Sequence, residues 1–100
     1  MFRKVKRLCA EIVIDKPYFR LMMNGRKNYV IDRDRSALRV GRLLSIKEIA
    51  KDSSGMYIAT GRRITADIVG IYREPQLREG YVIIQLDNIS ICGLAIGETA

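Results

Sequence analysis

Residues 62–74, RRITADIVGIYRE, decide the fold, because this long run is rich in β-branched residues. Side chains of this kind favour strands over helices. Gly70 interrupts the run, and a glycine inside a strand is typical of a bulge or a barrel corner. After PQLREG (75–80), the run YVIIQLDNISI (81–91) predicts the last long strand. The second half of the chain is therefore expected to form a bent β-sheet.

Upstream segments add further strands. LCAEIVID (8–15), KNYVIDR (27–33) and RLLSIKEIA (42–50) are β-rich, and the last of these runs into the turn KDSSG (51–55). Alternation in KNYVIDR predicts that Tyr29 and Ile31 face inward. Five or six mainly antiparallel strands with one or two short helices predict a small, mostly β (α+β) pseudo-barrel.

The first helix is predicted over residues 16–24, KPYFRLMMN. Asp15 is suited to cap it, Pro17 is tolerated in the first turn, and Gly25 is suited to end it. Helical spacing predicts an apolar face made of Phe19, Met22 and Met23.

A chain of 100 residues is long enough for one ordinary domain. We expect a basic N-terminal arm over about 1–7 and a core over about 8–92. The chain has no apolar run of the roughly 20 residues that span a bilayer, and its N-terminus lacks the pattern of a signal peptide. These features predict a cytoplasmic protein without a membrane partner.

Histidine is absent, which excludes serine–histidine and cysteine–histidine catalysis. Cys9 and Cys92 lie far apart and have no CxxC or Cys/His companion, so neither a metal site nor a cofactor is expected. We interpret both cysteines as buried small hydrophobic residues.

Positive charge is concentrated near the N-terminus. Residues 1–42 hold twelve Lys and Arg against four Asp and Glu, whereas residues 43–100 hold six against seven. This asymmetry favours a polyanionic partner, most simply a nucleic acid.

Basic residues bracket the predicted strand at residues 27–33 and its following loop, and two more begin the long strand. Arginine pairs bidentately with phosphate, and Tyr29 or Tyr57 could stack on a base. The predicted nucleic-acid surface consists of Arg26, Lys27, Tyr29, Arg33, Arg35, Arg39, Arg42, Arg62 and Arg63. The alternative is that these arginines form a solvated network with Asp32, Asp34 and Asp67.

Several segments, taken in order, resemble the ASCH domains of the PUA-like superfamily, in particular a short uncharacterised branch from bacteria and phages. They are KPYFRLMMNGRKNYVIDRDRSALRVGRLLSIKE (16–48), TGRRITADIVGIY (60–72) and REGYVIIQL (78–86). The resemblance covers about residues 9–87. It implies a PUA-like pseudo-barrel with a cleft beside the helix and the following strand that accepts RNA or modified nucleosides.

The chain departs from this family at two signature positions. Gly25 and Lys27 match the Gly-x-Lys-x-x-Glu/Thr-x-Arg pattern, but Val30 and Asp32 replace its third and fourth positions. Some ASCH proteins deacetylate N4-acetylcytidine with a lysine, a threonine and a glutamate. Val30 cannot act as the hydroxyl nucleophile. An enzyme reading would then pair Lys27 with Glu74 or Glu79 in an amidohydrolase.

The sequence thus favours a small, basic RNA- or nucleotide-binding module without catalysis. DNA is an alternative ligand, and an amidohydrolase acting on N-acylated nucleosides is an alternative function. A third reading is a phage-type accessory domain that binds a protein through a strand edge or its basic face. Either a monomer or a weak homodimer fits the sequence.

Overall fold

The β-rich runs form the strands that the sequence predicts, with one helix among them. The computed structural model describes residues 7–93. Within that range the elements are β1 (Leu8–Asp15), α1 (Lys16–Met23), β2 (Tyr29–Arg33), β3 (Leu43–Lys51), β4 (Tyr57–Tyr72) and β5 (Tyr81–Cys92). The predicted mostly β fold is confirmed. Most of the basic arm and the segment 94–100 lie outside the described residues.

One five-stranded sheet, curled into a half-barrel, holds all of these strands in the order β1-β3-β4-β5-β2. β1 pairs with β3 in parallel, and the other three pairings are antiparallel. β1 and β2 are therefore the edge strands. α1 connects these edges along the chain, packs against β1 and β3, and is bonded to β2 through Tyr18.

Two side chains tie these edges together. The Tyr18 hydroxyl on α1 donates a hydrogen bond of 2.5 Å to the Tyr29 carbonyl of β2. Nη1 of Arg35, in the loop after β2, donates to the Glu11 carbonyl of β1 at 3.3 Å. One backbone carbonyl of each edge strand thus finds a side-chain partner.

The core lies on the inner face of the sheet, beneath α1. Every strand contributes alternate side chains to this face, as period-two geometry requires. The core residues are Ile12, Phe19, Met22, Val30, Leu38, Leu44, Ile46, Ile64, Ala66, Ile68, Val82, Ile84 and Leu86.

Helix α1 begins where the sequence predicts and ends one residue earlier, at Met23. Asp15 has an extended backbone at the N-cap but makes no side-chain capping bond, and Pro17 falls in the first turn. Phe19 and Met22 are buried. Gly25 adopts a φ of 71° after the helix, and its N–H donates to the Met22 carbonyl at 3.1 Å. This left-handed residue ends the helix and turns the chain into β2.

The predicted inward pair on β2 is wrong. Val30 is completely buried, whereas Ile31 is 48% exposed and Tyr29 is half-buried. Val30 is opposite Ile84 of β5, whose side chain also lies in the core. The neighbouring strand thus sets which face of β2 points inward, and the apolar content of β2 alone does not reveal it.

The reading of both cysteines as buried is also incorrect for one of them. Cys9 is half-buried and packs against the core, but Cys92 is exposed at the end of β5. The last part of β5 extends past the inner core, so its apolar residues reach solvent.

Two irregularities bend the long strand β4. The β4–β5 register shifts between Ile68 and Gly70, which confirms the bulge expected at Gly70. A second shift separates the pairs Lys47–Arg63 and Ile49–Ala59. Between these pairs β3 has one residue, Glu48, and β4 has three, residues 60–62. Gly61, the middle one of the three, has a φ of 100°.

The Gly61→Ala substitution tests this second bulge. Alanine is strained at a positive φ, so we expect the free energy of unfolding to fall by about 1 to 3 kcal/mol. Urea denaturation followed by circular dichroism measures the change. A loss below about 0.5 kcal/mol, within the range of ordinary surface substitutions, would show that the bulge does not need glycine.

Candidate nucleic-acid interface

The loop between β2 and β3 and the end of β4 enclose an open cleft of about 710 Å³, named here the arginine cleft. Buried Leu38 anchors the loop to the core. The cleft is lined by Asp34, Arg35, Ser36, Leu38, Arg39, Val40, Ile71 and Arg73. Three guanidinium groups and one carboxylate make its lining positive.

The arginines of the cleft differ in what they already bind. Arg73 donates to Oδ2 of Asp34 through Nε at 3.0 Å and Nη2 at 2.7 Å. Arg35 lies 3.4 Å from Asp32 and also holds the Glu11 carbonyl. Arg39 makes no ion pair with any residue between 7 and 93. Arg39 is therefore the cleft cation most available to an anion.

Other predicted surface arginines are spread around the molecule. Arg33 ends β2, Arg26 lies in the turn after α1, and both are exposed. Arg42 is half-buried just before β3. Within the described part of the chain these three have no ion-pair partner. Arg63 lies on the outer face, 3.0 Å from Glu11.

Arg62 is not part of any surface. Its Nε and Nη2 donate to the two carboxylate oxygens of Glu48 at 3.0 and 2.9 Å. The Thr60 hydroxyl donates to the same carboxylate at 2.5 Å. Glu48 has no exposed area, and Thr60 and Arg62 are each only 7% exposed. The structure thus removes Arg62 from the predicted nucleic-acid surface.

This buried network supports the helix as well as the sheet. The Arg62 guanidinium carbon lies 5.8 Å from the centre of the Phe19 ring on α1. The β4 bulge presents Thr60 and Arg62 to Glu48 on β3. Lys-Glu at 47–48 and Thr-Gly-Arg at 60–62 both fall within segments that carry the resemblance, but nothing in either segment indicated that they meet.

Lys27 lies in an aromatic cluster between α1 and β2. Its Nζ is 5.3 Å from the centre of the Tyr18 ring and 5.2 Å from that of Tyr29. The same ammonium donates to the Tyr29 hydroxyl at 3.2 Å. Burial, and secondarily the nearby Tyr29, raise the pKa of Tyr18 to about 12. Tyr29 is thus occupied within the protein, not held ready to stack on a base.

The structure does not bring Lys27 to the carboxylates with which it was paired in the enzyme reading. Asn28 bonds to Leu86 at one end of the β2–β5 ladder, and Asp34 bonds to Gly80 at the other. Six residues of extended chain separate these ends by roughly 20 Å. Glu79 adjoins Gly80, and Glu74 lies in the same β4–β5 loop. Lys27 is at the opposite end.

Sequence reasoning missed Arg73 and the contact of segment 60–62 with Glu48. Arg73 falls in the half of the chain that has no excess of positive charge. Its position directly after the long β4 run was the available signal. That position indicates a site only when it is known that the end of β4 lies next to the loop at residues 34–40.

Residues 7–93 contain no group of three potential metal ligands among His, Cys, Asp and Glu. In the same range no helix is long and apolar enough to cross a membrane.

These features define a small β-protein with a curled sheet, one closing helix and an arginine-lined cleft. The model of the family described as Domain of unknown function (DUF3850) matches residues 9–86. The chain belongs to this family. A search of curated proteins found no match.

Neighbouring arginines offer a matched test of the buried network. Arg62→Ala leaves the Glu48 carboxylate buried without its partner, which is expected to cost about 3 to 5 kcal/mol of unfolding free energy. Arg63→Ala breaks only the exposed pair with Glu11, at a cost of about 0 to 1 kcal/mol. Urea unfolding of both variants measures the difference. Equal losses would contradict a structural role for the Glu48–Arg62 pair.

The raised pKa of Tyr18 leads us to expect that the free energy of unfolding decreases at high pH. With its pKa raised from 10.0 to about 12 by folding, the unfolded chain releases this proton first as the pH rises. Stability from Tyr18 is therefore complete below pH 10 and falls toward pH 12. Urea unfolding between pH 9 and 12 should show a shallower decline for Tyr18→Phe than for the unmodified protein. Identical slopes would argue against this assignment.

Proposed function

We propose that this domain binds RNA or a nucleotide at the arginine cleft, with Arg33 extending the contact onto β2. The observation that carries the proposal is the cleft itself. It has a volume of about 710 Å³ and three arginines, and Arg39 among them has no ion-pair partner in the described residues. A guanidinium fork matches the geometry of a phosphate group better than an ammonium does.

The Arg73–Asp34 pair supports the same reading. The Arg73 side chain is 67% exposed and that of Asp34 is 34% exposed. An exposed ion pair contributes only about 0 to 1 kcal/mol. A phosphate group could therefore replace Asp34 as the partner of Arg73 at little cost, and two arginines would then hold one anion.

Arg35 has a different role in this proposal. It joins β2 and its loop to the edge strand β1 through Asp32 and the Glu11 carbonyl. It thus fixes the position of the loop that carries Arg39. Its removal would alter the shape of the cleft as well as its charge, so it is unsuited to a binding test.

A PUA-like architecture of the ASCH type is part of the proposal. The curled sheet with one helix at its open side supports it. Two segments that carry the resemblance, Lys47–Glu48 and Thr60–Arg62, also meet in one buried network. We further propose a cytoplasmic location, since Cys9 and Cys92 are both free thiols and fit a reducing compartment.

Catalysis is not part of the proposal. Lys27 is engaged by two tyrosine rings and is distant from Glu74 and Glu79 along the β2–β5 ladder. The enzyme reading required Glu74 or Glu79 to transfer a proton beside Lys27, and the fold keeps both carboxylates at the other end of that ladder.

The test is binding to a short single-stranded RNA across a salt series. The logarithm of affinity falls with the logarithm of salt concentration by about 0.7 for each phosphate contact on a single strand. For Arg33→Ala/Arg39→Ala we expect weaker binding and a slope shallower by about 1.4, since two contacts are removed. Fluorescence anisotropy with labelled single-stranded RNA measures the affinity and its salt slope, and duplex RNA and duplex DNA are measured in the same way.

The matched control is Arg20→Ala/Lys47→Ala, which removes the same charge at two residues that do not line the arginine cleft. Its salt slope should equal that of the unmodified protein. If both double variants flatten the slope equally, binding follows net charge and not the arginine cleft. If none of the three nucleic acids binds, the proposal fails, and a protein partner for the basic face becomes the leading alternative.

A further inference from the structure

A second cleft lies where α1 begins beside the β3–β4 hairpin. Its volume is about 440 Å³, and it is lined by Asp15, Lys16, Pro17, Ala50, Lys51 and Tyr57. No residue of the arginine cleft contributes to it, and neither does Lys27. The two clefts are at opposite ends of β4. The volume of the second cleft falls within the roughly 300 to 1,000 Å³ usual for small-molecule sites.

Cations and an aromatic ring lie side by side in this second cleft. The Lys51 ammonium is 5.4 Å from the centre of the Tyr57 ring. Tyr57 is 55% exposed, so its side chain is accessible to a ligand. Neither Lys16 nor Lys51 forms an ion pair with the residues that the structure describes.

The hairpin holds Lys51 and Tyr57 in a fixed arrangement. These two residues are partners across the β3–β4 ladder. Directly beyond them, Oδ1 of Asp52 accepts hydrogen bonds from the backbone N–H groups of Ser54 and Met56 at 2.9 and 3.0 Å. It also accepts one from the Ser54 hydroxyl at 2.6 Å. A closed turn at this position reduces the conformational entropy that a ligand would otherwise have to remove.

Asp15 adds a third kind of group. Its carboxylate lines the same cleft and can accept hydrogen bonds from hydroxyl or amino groups. A simple anion would use the lysines alone, and an aromatic acid would leave Asp15 without a donor. A molecule that has a ring, an anionic group and hydroxyl donors uses all three.

We propose that this second cleft binds a nucleoside monophosphate. Its base stacks on Tyr57, its phosphate lies between Lys16 and Lys51, and its ribose hydroxyls donate to Asp15. This site is independent of the arginine cleft, and the proposal does not rest on RNA binding there.

The test is a titration of the full chain with adenosine monophosphate, followed through backbone amide signals by NMR. Shifts are expected at residues 15–17, 50–51 and 57. Adenosine lacks the anion and inorganic phosphate lacks the ring, so each should bind at least about fivefold more weakly. Equal binding of inorganic phosphate would overturn the assignment to a nucleotide.

Variants at the exposed hairpin separate the contributions. Lys51→Ala and Tyr57→Ala should each weaken binding at least about fivefold, whereas Tyr57→Phe keeps the ring and should stay within about twofold. Unshifted amides elsewhere confirm that the variants fold. Arg39→Ala, in the arginine cleft, should leave this affinity unchanged.

Three outcomes overturn the proposal. They are an absence of shifts, shifts confined to residues 34–40 and 71–73, and unchanged affinity in both alanine variants at the hairpin. Shifts confined to the arginine cleft would support the proposed function while refuting this second site. The reverse pattern, shifts here without RNA binding, would refute only the proposed function.

Discussion

The buried ion pair of Glu48 and Arg62 is the constraint on which the rest of the structure depends. Glu48 is completely enclosed, and a carboxylate in that position is tolerated only when its oxygens are paired. Arg62 and Thr60 supply those bonds because the β4 bulge at Gly61 places both opposite Glu48. Arg62 also contacts Phe19, so the same pair links the two strands to α1.

That link matters because α1 closes the half-barrel. The edge strands β1 and β2 do not pair with each other, and the helix lies between them in the chain. Tyr18 and Arg35 complete the closure by bonding to edge carbonyls. The basic loop after β2 is therefore attached to a rigid support at its start through Arg35 and at its middle through Leu38. A loop held in this way would lose less entropy on taking up a ligand, which favours the proposed function.

The arginines divide into a structural set and a surface set, and charge alone does not distinguish them. Arg62 neutralises a buried carboxylate, and Arg35 joins two edges of the sheet. Arg39 and Arg33 are exposed and have no ion-pair partner among residues 7–93. The solvated network of arginines with Asp32 and Asp34 that the sequence offered as an alternative exists in part, through Arg35 and Arg73. The binding proposals therefore rest on which cations the fold leaves without a partner.

The sequence by itself determined the strands, the helix and its apolar face, the bulge near Gly70 and the concentration of positive charge. These features follow from local propensity and from periodicities of two and 3.6 residues, which are written along the chain. Tertiary structure alone decided that Val30 and not Ile31 points inward, because the register with β5 sets that choice. It also decided that Arg62 is buried and that Arg73 joins Arg39 in one cleft. Those outcomes depend on contacts between residues far apart in the chain, and local patterns do not encode such contacts.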